Sequence, residues 1–171
     1  MVKKVLLLVF LFAFLAVPAQ GALADSEVTQ VDGTCQWLSE SEGDDYKFHA
    51  KEDWSMMWWR NLNHLFDCNF DEDRLDGLMI GKDSWNLLDR ENKENIVQEF
   101  GKAYYVNEEG VPTGLWQGSY HGYYDSEWQF TLYLNLKGMG EYQDLHAKLV
   151  FSSPDDDGNY PVTGELHVTG K

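Results

Sequence analysis

Basic residues are scarce in this chain of 171 residues: 13 Lys and Arg stand against 29 Asp and Glu, a formal charge of −16. Such an excess of acid repels phosphate backbones and anionic lipid surfaces, which argues against nucleic acid or a bilayer as partner. Cysteine is nearly absent, with only Cys35 and Cys68 present. Neither lies in a C-x-x-C, and no third or fourth thiolate is available to complete a zinc site. The G-x-S-x-G elbow, the P-loop and the H-E-x-x-H metal motif are all missing. No H-x-x-x-H occurs among the five histidines His49, His64, His121, His146 and His167. There is no internal repeat and no low-complexity stretch. These absences leave no marked enzyme chemistry, no expected metal site and no expected cofactor.

What is present begins with the N-terminus. Lys3 and Lys4 precede an apolar run from Val5 to Val17, Pro18 breaks it, and Ala22-Leu23-Ala24 supplies a small-x-small cleavage pattern. This reads as an export signal over residues 1–24, because the run is shorter than the roughly 20 residues a spanning helix needs. No membrane span is expected after cleavage. The remaining 147 residues carry 11 basic and 29 acidic side chains, a formal −18. Seven Trp, nine Tyr and nine Phe separate this chain from disordered acidic sequences and supply a core. In an exported domain the even pair Cys35 and Cys68 is expected to form a disulfide. No N-x-S/T sequon follows residue 24, which tilts the compartment toward a bacterial envelope; the location expected is periplasmic or extracellular.

The first half reads as helical. Asp53 is a candidate N-cap, and Trp54, Met57, Trp58, Leu62, Leu65 and Phe66 follow at steps of three and four. Asp89 and Glu91 suit the start of a second helix, continued by Ile96, Val97, Phe100 and Tyr104. The last third changes period to two. Trp128, Phe130, Leu132, Leu134 and Leu136 alternate with polar residues; Leu145, Ala147, Leu149 and Phe151 do the same, as do Tyr160, Val162, Leu166 and Val168. Trp116, Tyr120 and Tyr124 face one way on a less regular strand. The expectation is a single α+β domain over residues 25–171. Its helical half covers about 50–106 and its β half about 114–170, with two helices packed on one face of a four-stranded antiparallel meander.

Gly114-Leu115-Trp116 resembles the G-x-W opening of lipocalin-like barrels, a family in which the motif comes near the start of eight strands. Here about four strands are expected after it and helices before it, so no function is transferred. The order of elements is also similar to cone-shaped folds of the NTF2 or cystatin kind, a likeness of fold alone.

The stretch Trp116, Tyr120, His121, Tyr123 and Tyr124, spaced by glycines, is the candidate ligand platform, with core packing as the plainer account of its rings. A hairpin of residues 144–151 with 160–167 would set His146 near Glu165 and His167 near Asp144. The acidic loops at 71–76 and 155–158 miss the register of a calcium loop. Three functions follow as expectations. The first is a small exported, non-enzymatic binding protein for a protein or small-molecule partner, including an acidic binder of a cationic protein. The second is a secreted carbohydrate-active hydrolase or carbohydrate-binding module, and the third a structural envelope protein.

Overall fold

Side chains alternate between two faces along nearly the whole chain. The computed structural model describes residues 27–41, 45–51, 54–90 and 95–169; the expected export signal over residues 1–24 lies outside them. Nine strands account for most of these residues: β1 (Glu27–Ser41), β2 (Asp45–Lys51), β3 (Trp54–Phe70), β4 (Gly77–Arg90), β5 (Asn95–Val106), β6 (Pro112–Asp125), β7 (Phe130–Gly138), β8 (Leu145–Ser152) and β9 (Asn159–Val168). Two 3-10 turns are the only helical elements among the described residues, and no helix there is long and apolar enough to cross a membrane.

From β3 to β9 each strand pairs antiparallel with the next, and β1 pairs with both β9 and β3. Eight strands thus close into an antiparallel barrel. β2 lies outside the ring, paired with the stretch of β3 from Trp54 to Arg60. The expected α+β architecture, two helices over a four-stranded meander, is therefore wrong. The apolar face of the last four strands is covered by the sheet curling onto itself, which also removes its edges.

The two expected helices fail for a shared reason. In β3 the inward residues are Leu62, His64, Phe66, Cys68 and Phe70, at every second position. A bulge between Arg60 and Leu62 shifts the phase, and Leu65 is half-buried on the other face. Apolar residues from both faces, pooled across a bulge, imitate steps of three and four. In β5 Val97, Glu99, Ala103 and Tyr105 are buried in one alternating series and Val106 is buried at an irregularity at the strand's end, while Phe100 is exposed. The helical spacing had joined Val97 to Phe100 and Tyr104, which point the other way.

Other details also differ. His146 lies opposite His167, and Glu165 opposite Lys148, so the β8–β9 register is shifted by two from that expected. His167 Nε2 instead meets Glu165 Oε2 of its own strand at 2.9 Å. Trp128, expected inward, is exposed. Gly114-Leu115-Trp116 lies on β6, after five strands rather than before the barrel.

Cys35 and Cys68 face each other across the β1–β3 seam, Cα atoms 4.0 Å apart, and are disulfide-bonded. The bond thus staples the junction that closes the barrel, and it is compatible with an oxidising extracellular or periplasmic location. One end of the barrel is plugged. The β3–β4 connection carries a 3-10 turn (Asp73–Leu75) whose Leu75 is wholly buried in the core. Two side chains anchor it from across the barrel: Tyr105 Oη donates to the Leu75 carbonyl at 2.6 Å, and the Trp116 indole N–H donates to the Arg74 carbonyl at 2.7 Å. Gly118 next to Trp116 has a steric reason, because a Cβ there would run into the Asn135 carbonyl of β7.

Candidate functional site

Three hairpin turns share one local design. Asn107, Asp125 and Asp155 each use their side-chain Oδ1 to accept backbone N–H groups two and four residues on. The backbone N–H three residues on bonds back to each one's carbonyl. That geometry is a type I turn followed by a left-handed residue. The left-handed place is held by Gly110 (φ 77°), Gly158 (φ 83°) and, in the β6–β7 turn, Trp128 (φ 59°). A non-glycine residue there costs roughly 1–2 kcal/mol. Strain of this kind persists where the surroundings or a function require the side chain. Trp128 holds its ring 62 % exposed and 6.2 Å from the Tyr124 ring. The same design occupies Asp155, whose carboxyl is held below its ordinary range by the N–H groups of Asn159 and its neighbours.

Tyr124 is part of the wall of a cavity of about 190 Å³ inside the barrel. The cavity lies toward the end opposite Leu75, where Tyr124 pairs with Phe130 and Trp37 with Phe66. Its wall is largely aromatic and aliphatic: Phe66, Met79, Trp85, Tyr124, Phe130, Leu132, Leu134, Phe151 and Tyr160. Exposed Trp37 and Glu40 of β1 also line it, so it communicates with solvent past them. The rings interlock, with Phe66 and Phe130 each set edge-on to Tyr160 at 5.7 Å.

One polar cluster interrupts this wall. His64 of β3, Asp83 of β4 and Glu99 of β5 are the buried polar residues of the described chain, and all three point inward from adjacent strands. His64 Nε2 lies 3.2 Å from Asp83 Oδ2, and its Nδ1 lies 3.5 Å from Glu40 Oε2. The Trp85 indole N–H donates to Asp83 Oδ2 at 3.2 Å, and the Trp85 ring stacks on His64 at 5.7 Å. Burial pushes the Glu99 carboxyl well above the carboxylate range, and the adjacent Asp83 pushes it the same way. Burial also opposes ionisation of Asp83, but the contacts from His64 and Glu99 outweigh it and hold that carboxyl below its ordinary value. The Tyr120 phenol, buried beside both acids, is pushed far up and stays neutral. The cluster sets two carboxyl groups of opposite proton affinity side by side, an arrangement suited to gripping a donor group or a cation.

No known protein family, curated protein or solved structure matches this chain.

The structure divides the five residues of the expected platform. Tyr120 and Tyr124 line the cavity. Trp116 is buried at the opposite end, anchoring the Leu75 turn. His121 and Tyr123 point outward, with His121 stacked on Tyr133 at 5.1 Å. His64, Asp83 and Glu99 were not singled out from sequence. Their signal was a charged residue in the inward series of a strand, visible only once those segments are read as strands.

Proposed function

We propose that this chain is an exported, non-enzymatic binding protein that holds one small, ring-bearing molecule inside its barrel. The observation that carries the reading is the aromatic cavity of about 190 Å³, lined at its exposed side by Trp37 and Glu40. An apolar cavity of about 150 Å³ already admits benzene, so this one takes a substituted ring or a compact pair of rings. It is smaller than the pockets that hold drug-sized ligands. A few polar groups converging in an apolar wall are the usual means of fixing a ligand's orientation. The strained Trp128, set against Tyr124, supports a role for the aromatic residues at the open end in retaining the guest. The disulfide supports the exported setting.

The test is calorimetric titration of the full chain with neutral one- and two-ring aromatics such as indole and naphthol, alongside the Leu132→Trp variant, whose larger ring fills the cavity. One-to-one binding tighter than about 1 mM, weakened at least tenfold in the variant, is expected. No binding across the panel, or binding unchanged in the variant, refutes the reading.

A further inference from the structure

We propose that His64, Asp83 and Glu99 bind a single divalent transition-metal ion of the zinc class at the wall of the same cavity, which His64 and Glu99 line. This deepens the reading above, since it assigns the polar part of that cavity, but it is tested without any organic ligand. One donor atom from each of the three residues lies within 4.8 Å of the others. The site is built inside the molecule rather than collected from a charged surface. The Asp83 side chain has no exposed area and that of His64 only 8 %. Asp83 Oδ1 and Tyr120 Oη are buried with no hydrogen-bond partner among the described residues, and His64 Nε2 has only Asp83 Oδ2, at 3.2 Å. Polar atoms left this way are unfavourable unless something entering the cavity satisfies them.

Spacing separates a metal from an organic cation. Donors bound tetrahedrally to zinc at about 2.0–2.1 Å stand about 3.3 Å apart. Acceptors around an ammonium at about 2.8 Å stand about 4.6 Å apart. His64 Nε2 and Asp83 Oδ2 are 3.2 Å apart, the metal spacing. Glu99 must close by at most about 1.5 Å to complete the set. The imidazole favours a transition metal over magnesium or calcium, which prefer oxygen throughout.

The surrounding residues have the arrangement that supports ligating side chains. Glu40 stands 3.5 Å behind His64 at Nδ1, so on metal binding a proton held there would face a carboxylate and leave Nε2 free to ligate. The Trp85 indole N–H orients the Asp83 carboxylate, and its ring stacks on the imidazole. Three protein ligands leave a fourth position open to the aromatic cavity. A guest ring carrying a nitrogen or oxygen donor would occupy it, which narrows the ligand class to small aromatic chelators and donors.

The experiment uses the full chain, stripped with chelator, then titrated with zinc chloride alone and, separately, cobalt chloride alone. One ion per chain with Kd below about 10 µM is expected. Bound cobalt should show visible bands of low coordination number without a thiolate charge-transfer band. Asp83→Asn and His64→Gln should each weaken binding at least 100-fold, and Glu40→Gln about tenfold. The cobalt spectrum of the unsubstituted chain reads the site even if a core variant fails to fold. Excess calcium should not displace the ion, whereas it would clear ions held loosely by the acidic surface. No saturable one-to-one binding up to about 100 µM metal, displacement by calcium, or affinity unmoved in folded variants overturns the proposal. Failure here with aromatic binding intact leaves the cavity reading standing. Metal binding without aromatic binding removes that reading and keeps this one.

Discussion

Cutting the Cys35–Cys68 bond should loosen the barrel at its closing seam. The cysteines are 33 positions apart. On the chain-entropy relation, releasing a loop of that length returns about 12.5 cal/mol/K to the unfolded chain, or about 3.7 kcal/mol at 25 °C. At this chain size 1 kcal/mol moves Tm by about 2–4 °C, so a fall of roughly 7–15 °C follows. The assay is urea unfolding of the oxidised and reduced chain, followed by tryptophan fluorescence, with the double variant Cys35→Ala, Cys68→Ala as a third arm. The variant should fall somewhat further, because both sulfurs are buried and alanine fills less space. The reduced chain should show an equal or larger m-value, since its unfolded state is free to expand. A loss under about 1 kcal/mol would refute the reasoning. It would mean that the β1–β3 and β1–β9 ladders hold the seam without the cross-link.

Leu75→Ala should cost about 2–5 kcal/mol in the same unfolding assay, because the side chain is wholly buried and its turn is tied down from two strands. Glu72→Gln tests the cap of that turn, where Arg74 donates to Glu72 at 2.6 and 2.8 Å. Those bonds hold the Glu72 carboxyl below its ordinary 4.5. Its contribution is therefore present above about pH 4.5 and lost as the pH falls through the lower folded-state value. The pair is partly exposed, so the variant should lose less than about 1 kcal/mol at pH 7 and progressively less as the pH falls into the acid range, as read by thermal melts across that range.

How far the sequence revealed this molecule depended on whether a strand kept one clean face. Phe130, Leu132, Leu134 and Leu136 alternate with polar neighbours, and β7 and β8 show that pattern directly. β3 and β5 break it in opposite ways. β3 carries apolar residues on both faces across a bulge, and β5 puts Glu99 inside and Phe100 outside. Both departures belong to the candidate site, because the barrel needs those inward positions for His64 and Glu99. The disulfide was legible from cysteine count and export pattern together. Trp128 was not, since its turn lacks the glycine that marks its two counterparts, and only the backbone angle shows what it replaces. Of the candidate platform, alternation placed Trp116, Tyr120 and Tyr124 on one face. It could not say that the barrel's length puts Trp116 at the plugged end and the two tyrosines in the cavity.

The meeting of β1 with β9, where Glu27 lies opposite Val168, governs the order in which this molecule can be made. The first strand has no neighbour on that side until β9 has been synthesised. Until then the growing chain carries an unmatched edge. Contacts between segments so far apart form slowly, on the order of milliseconds to seconds. An edge left open for that long can pair with the wrong strand or with another copy, so completing the ring is the step most exposed to misassembly.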